Sequence, residues 1–513
     1  MNFNASDLLG ILPAFLLSIG AMVLMTSEVF LRVAVPGAAR AASATEEVPD
    51  RRYQAWLTAG FAAAALWAAV GQATSPATSI FSGAAVSDPF AGVVAIIVCG
   101  ALVLSSLIAS GYLEALRATR GEFYALALFS AAGMCLLAQA TDLIVIFIAL
   151  EVMSLAVYCL TAYLRRGKRP AEAAFKYFVL GSFSSAVFLY GAALGFGATG
   201  STRIADLAAA ISSAPGGNLA PLLYAAAALL ASGFAFKVAA VPFHMWVPDV
   251  YDGAPAPVTG FMAAGVKAAA FAVLARILVG GYGDVASSTG SHGWQQIVVW
   301  LALATMLIGN LLAVPQRSVK RMLAYSSIAH AGYLLVAVAA MGTASSRADA
   351  VQGLMFYLCA YGATVVGAFG VVALLERKLA LAGLPDDISS WAGLSQKHPL
   401  LSAAMALFMV SLAGVPPTAG FMAKLTVFRA AIDADLPSLA IFGVLTSVAG
   451  LYYYLQVVVA IYMKPVSKPE AVVGRTVVTG IALAGAAFLV IWLGVSPASF
   501  SAITTGAAAT FGK

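Results

Sequence analysis

DLIVIFIALEVMSLAVY, residues 142–158, runs from an aspartate through an apolar stretch that holds one ionisable group, Glu151. Extended to residue 163 as a helix, it is long enough to cross roughly 30 Å of hydrocarbon. Four basic residues close it: Arg165, Arg166, Lys168 and Arg169. Similar apolar runs recur from end to end of the 513 residues, which are 62% hydrophobic and only 10% charged, with a mean hydropathy of +0.94. That composition excludes a soluble multidomain protein. It predicts an all-α polytopic membrane protein with about 14 transmembrane helices, at 8–31, 54–72, 90–109, 123–140, 142–163, 173–198, 219–241, 255–279, 295–313, 321–342, 350–375, 400–428, 438–463 and 475–497. The first run has no basic segment before it and no obvious cleavage site, so it reads as a retained helix.

The charges outside the runs test this helix count. Lys and Arg in the odd-numbered loops total 19, whereas the even loops and both tails hold only Arg203, Arg347, Arg429 and Lys513. One missed helix would scramble the alternation. By the positive-inside rule the odd loops face the cytoplasm and both termini face out. The fourth odd loop, 242–254, has no basic residue and is placed by parity alone. The net charge of +6 therefore sits in membrane-flanking loops and does not point to nucleic acid. Cys99, Cys135, Cys159 and Cys359 lie inside apolar runs without CxxC spacing, which argues for packing and against a disulfide, zinc or iron–sulfur framework.

Five basic residues remain inside the runs. Lys176 and Arg276 lie within about a turn of a helix end and read as snorkelling side chains. Lys237, Lys267 and Lys424 are set deeper. With Glu151 they form four intramembrane charges, each costing at least ~2.5–3.5 kcal/mol. Static ion pairs cannot absorb three lysines against one carboxylate, so the set reads as a proton relay. A desolvated lysine releases its proton readily and an approaching carboxylate restores it. A Glu151–Lys237 pair that opens and closes would load and unload Lys237. Two lysines sit in interrupted helices. GFAFKVAAVPFHMW (233–246) carries Lys237 before Pro242, and SLAGVPPTAGFMAKLTVF (411–428) carries Lys424 after Pro416 and Pro417. Such breaks free backbone carbonyls and are tolerated at membrane depth only under protein or internal water. Broken helices 7 and 12, at matching places in helices 4–8 and 9–13, suggest two inverted five-helix repeats. His244 lies two turns beyond Lys237, near the cytoplasmic end, and is a candidate for proton entry. His330, in AYSSIAHAGY, is a relay candidate or a hydrogen-bonded core residue.

VPFHMWVPDVYDGAPAPVTGFMAAGVKAAAF (241–271) and SVKRMLAYSSIAHAGYLL (318–335) resemble the antiporter-like membrane subunits of the proton-pumping NADH:quinone oxidoreductase, respiratory complex I, specifically the subunit N family. The resemblance covers about 90–463. It implies 14 helices with inverted repeats at 123–279 and 295–463, flanked by segments 1–122 and 464–513. It also implies a place in the bacterial inner membrane with both termini periplasmic. It matches Glu151 to the fifth-helix glutamate, Lys237 to the lysine of the first broken helix, Lys267 to the central connecting lysine and Lys424 to the lysine of the second. Asp252 stands where glutamate is usual, and the 32–53 loop is acidic at Glu46, Glu47 and Asp50. Lysine at 424 argues against subunit M, and the end of the chain after helix 14 argues against subunit L. The implied activity is proton transport driven by NADH-to-quinone electron transfer, with subunits M and K as neighbours. No nucleotide, flavin or cluster motif occurs here, so NADH, FMN, iron–sulfur clusters and quinone are expected in other subunits. The rival readings are an Mrp-type cation/proton antiporter subunit and a structural subunit whose lysines are static.

Overall fold

The computed structural model describes residues 5–33, 53–164, 168–213, 220–283, 293–381, 387–465 and 477–511. Arg40, Arg51, Arg52, Arg165, Arg166, Lys468, Arg475 and Lys513, counted above for orientation, lie outside them, as do Glu46, Glu47 and Asp50. The described helices are α1 (Ala5–Gly10), α2 (Leu12–Val33), α3 (Tyr53–Thr74), α4 (Pro89–Ala115), α5 (Gly121–Gln139), α6 (Leu143–Thr161) and α7 (Lys168–Thr199). Then come α8 (Ile204–Ser213), α9 (Ala220–Val238), α10 (Val247–Gly253), α11 (Ala256–Gly281), α12 (Trp294–Ala313) and α13 (Val319–Ala340). The chain continues through α14 (Arg347–Leu381), α15 (Pro399–Ala413), α16 (Ala419–Asp433), α17 (Pro437–Met463), α18 (Val477–Val495) and α19 (Ala498–Thr510). Helix α11 winds as a π-helix at Met262–Val266, just before Lys267, and again at Arg276–Gly281. A two-stranded antiparallel hairpin, Thr78–Ile80 with Ala85–Ser87, lies between α3 and α4.

Thirteen of the described helices are long and apolar enough to cross a membrane. The expected span at 400–428 is split into α15 and α16, of 15 residues each. Either alone covers only about 23 Å. In tandem they complete the expected fourteen. Burial orders the helices into a centre and a periphery. The α11 span is entirely buried, whereas the windows of α7 and α17 are 39% buried. The outer faces carry Trp67, Phe183 and Val448, all strongly exposed and apolar. That is the pattern of a bundle bathed in lipid, where backbone groups are satisfied within helices.

Charge pairing places the loop that parity alone had placed. Asp249 on α10 takes hydrogen bonds from Lys176 Nζ (2.7 Å) and Arg321 Nη1 (3.0 Å). Segment 242–254 therefore shares a face with the starts of α7 and α13, which carry basic residues from two other odd loops. Burial alone would raise the Asp249 pKa, but the Lys176 and Arg321 hydrogen bonds outweigh it and hold the carboxyl below its usual range.

Three readings of the charges need correction. Lys320, counted as a loop residue, is buried in the first turn of α13, bonded to Glu376 Oε1 (2.8 Å) and the Ala254 carbonyl (2.8 Å). Arg276 does not snorkel: its Nη2 lies 2.7 and 2.8 Å from the Asp88 carboxylate oxygens, and its Nε donates to the Ala138 carbonyl. The fixed guanidinium fork favours such pairing over reaching for water. Glu151, read as a buried intramembrane charge, is half-buried at the edge of the outer face of α6, which also exposes Ile148, Val152 and Leu155. Cys159 is likewise exposed on α6 and not packed inside.

Asp88 also caps α4 by accepting from the Ala91 N–H. Removing one partner of a buried pair strands the other charge, at a cost of about 3–5 kcal/mol. Asp88→Ala is therefore expected to lower the yield and thermal stability of the assembled protein sharply, measured by detergent-solubilised melting. An unchanged melting temperature would show that the pair does not hold α4 to α11.

Candidate functional site

Helix α9 ends at Val238 because Ala239 takes a left-handed conformation (φ 65°) and Pro242 follows. Lys237 is thus in the last turn, where the negative end of the helix dipole favours a cation. Its Nζ donates to Ser154 Oγ (2.9 Å) and Tyr158 OH (3.1 Å). Both partners lie on α6, three and seven residues after Glu151 and so on the same face. Glu151 Oε1 is buried without a hydrogen-bond partner, and Lys237 does not contact it. The lysine rests on hydroxyls one and two turns from the carboxylate. Gly181 of α7 is needed here, since any side chain would collide with the Tyr158 hydroxyl.

Lys267 follows the first π stretch of α11 and is fully buried. Its Nζ donates to the carbonyl and to Oγ (2.6 Å) of Ser327 on α13, and lies 5.5 Å from the Tyr361 ring centroid. One turn along α13, His330 is also buried. Its Nδ1 meets Tyr357 OH at 2.7 Å and its Nε2 meets Tyr454 OH at 3.1 Å, while Tyr454 also bonds Ser326. With phenols at both nitrogens the imidazole can accept on one side and donate on the other, as a relay requires. His330 is thus hydrogen-bonded and bridged at once, which fits both of the readings the sequence left open.

Lys424 sits on α16 but reaches back to the end of α15. Its Nζ donates to the carbonyls of Leu412 (3.0 Å) and Ala413 (2.9 Å) and to Ser447 Oγ (2.7 Å). The break thus exposes carbonyls with no helical partner, and the lysine satisfies them. Gly414 permits this twice, by its positive φ of 85° and because a Cβ would press on Lys424 Cδ at 2.9 Å. The two broken-helix lysines lie on opposite sides of their prolines in sequence, and they differ in their partners: the Lys424 ammonium meets the carbonyl end of α15, the Lys237 ammonium two hydroxyls of α6.

His244 lies in the turn between α9 and α10, half-buried, with Nδ1 buried and unpartnered. Burial pushes its pKa below the usual imidazole value. No hydrogen bond joins it to Lys237, and none joins the three lysines to one another, among the described residues. No group of three or more His, Cys, Asp or Glu there is arranged to hold a metal ion. Sequence reasoning missed Ser154, Tyr158, Tyr357, Tyr454 and Ser447. The first two were within reach, at helical spacing from Glu151; the others come from helices remote in sequence and carried no signal.

Residues 140–450 match the family model described as NADH:quinone oxidoreductase/Mrp antiporter, TM. The chain is 46% identical to NADH-quinone oxidoreductase subunit N of Myxococcus xanthus, over 100% of this chain and 99% of that protein. It is 44% identical to subunit N 1 of Sorangium cellulosum, over 94% and 95%. Among solved structures, a chain of respiratory complex I from Thermus thermophilus with bound aureothin aligns with TM-score 0.75 and 32% identity, over 96% of this chain and 100% of that one. A chain of the Mrp complex from Dietzia sp. aligns with TM-score 0.80 and 22% identity, over 98% of each, which is a likeness of fold.

Proposed function

The chain belongs to the NADH:quinone oxidoreductase/Mrp antiporter membrane family, among the subunit N proteins of NADH-quinone oxidoreductase, and on that premise we propose that it carries protons across the bilayer through Glu151, Lys237, Lys267, His330 and Lys424. NADH-to-quinone electron transfer in the other subunits drives it. The observation that carries this reading is Lys237 resting on Ser154 and Tyr158 while Glu151, on the same helix face, is unpaired. Static glue would keep cation and carboxylate together, because a buried charge left without its partner is strongly destabilising. A two-position lysine arm is what a switchable relay needs.

The same reading assigns NADH, FMN, iron–sulfur clusters and quinone to other subunits and makes this chain free of redox centres. It places subunits M and K on its flanks, the chain in the bacterial inner membrane, and both termini in the periplasm. His244 stands at the cytoplasmic entry. The inverted repeats correspond to 123–279 and 295–463, with 1–122 and 464–513 as flanking segments.

The test is Lys237→Met, which keeps the length of the arm and removes the charge. The expected result is an assembled complex whose NADH-driven proton pumping in membrane vesicles falls at least about tenfold, below the ~10²–10⁴-fold that general acid–base groups contribute because other protons pumped by the complex remain. Loss of assembly together with unchanged pumping per assembled complex would make Lys237 a structural residue. Cation/proton exchange in vesicles that contain no NADH-oxidising partner would instead favour a stand-alone antiporter.

A further inference from the structure

Each of the three relay lysines donates to a serine hydroxyl: Lys237 to Ser154, Lys267 to Ser327 and Lys424 to Ser447. The arrangement is most decisive at Lys424. An ammonium group has three N–H donors and no acceptor. At Lys424 all three are taken, by the carbonyls of Leu412 and Ala413 and by Ser447 Oγ. A backbone carbonyl accepts a hydrogen bond and has no proton to give, whereas a hydroxyl both accepts and donates. Of the three partners, only Ser447 can exchange a proton with the lysine. Position adds a second observation. Lys424 is buried, while Ser447 is half-buried on α17 beside Val444 and Val448, which face outward at 49% and 65% exposure. The hydroxyl is therefore the less enclosed member of the pair. Ser447 Oγ also lies 3.5 Å from the Ala413 carbonyl, the long limit of a hydrogen bond.

We propose that Ser447 is the proton-exchanging hydroxyl of Lys424, the group through which that lysine loads and unloads. This rests on the relay reading above. In the step, an N–H bond of Lys424 breaks and its proton joins Ser447 Oγ, as the original Ser447 proton leaves for a water molecule inside the bundle. The serine ends neutral with one proton, and the lysine ends neutral with a lone pair facing Oγ–H. Reloading runs the same bonds in reverse.

The experiment compares Ser447→Ala and Ser447→Thr with the parent in assembled complex, reading NADH-driven pumping in vesicles in H2O and D2O. Alanine leaves both carbonyls to hold Lys424 but removes the exchanging hydroxyl; threonine restores it. The expected outcome is a fall of at least about tenfold for alanine, with most of the activity and the parent's isotope effect retained by threonine. Parent-level pumping by Ser447→Ala would overturn the proposal. So would a threonine variant as impaired as alanine, because that would make the role one of packing. If Ser447→Ala fails to assemble, Ser447→Gly, which also lacks the hydroxyl, is judged by the same criteria. Lys424→Arg in the same vesicles keeps the two ideas separate: normal pumping there would sink the relay reading itself, whereas an inactive Lys424→Arg beside a fully active Ser447→Ala would sink only the serine's part.

Discussion

Glu151→Gln is expected to give an assembled complex that oxidises NADH poorly and pumps almost no protons. The substitution keeps the side chain's shape and its half-buried place on α6. What it removes is the charge that, in the proposed relay, draws Lys237 away from Ser154 and Tyr158. If the arm closes to about 4 Å, an effective dielectric of about 20 makes the attraction roughly 4 kcal/mol. A neutral amide supplies only an ordinary hydrogen bond of about 1 kcal/mol. The difference is enough to leave Lys237 on the hydroxyls through the whole cycle. Pumping in vesicles, normalised to assembled complex, should fall at least about tenfold. Moving the carboxylate four residues along α6 in the Gln background, to the same helix face, should restore part of it. Near-parent pumping by Glu151→Gln would end the pair model, whatever the other lysines do.

The second large effect is expected at Lys424, where arginine should do at least as much harm as alanine. Arginine keeps a cation that the carbonyls of Leu412 and Ala413 can hold, but it cannot be deprotonated in proteins. An obligate relay is therefore blocked by it outright. Alanine removes the site and leaves room for water, which offers protons another path. A fixed charge that only biases the pathway would give the opposite order, with arginine the milder change. Gly414, whose missing Cβ makes room for the lysine stem, sharpens the comparison. Lys424→Gln shows how much of any loss comes from steric crowding there. NADH-driven pumping of all three variants, per assembled complex, decides between carrier and fixture. Arginine retaining most of the activity while alanine abolishes it would leave Lys424 as a fixture.

The sequence by itself determined the membrane class, the helix count, the breaks at Pro242 and Pro416–Pro417, and the four intramembrane charges. The reason is physical. A bilayer imposes a length on each apolar run and a heavy cost on each charge, and both constraints are local in sequence. It also located Lys237 and Lys424 beside helix breaks, because proline acts where it stands. Only the tertiary structure decided which oxygens the lysines meet. Ser154 could be found from its spacing to Glu151, but Ser447, Tyr357 and Tyr454 reach their partners from α17 and α14, and nothing in the intervening chain records that approach. Arg276 and Lys320 were misread for the same reason. Asp88 and Glu376 lie 188 and 56 residues away from them, so two buried pairs looked like a snorkelling arginine and a loop lysine. Half-burial of Glu151 was likewise invisible, since the run DLIVIFIALEVMSLAVY is apolar on the face that meets the bundle and on the face that does not. Which face packs inward is set by the neighbours of α6, and hydrocarbon outside rewards the same residues as protein inside.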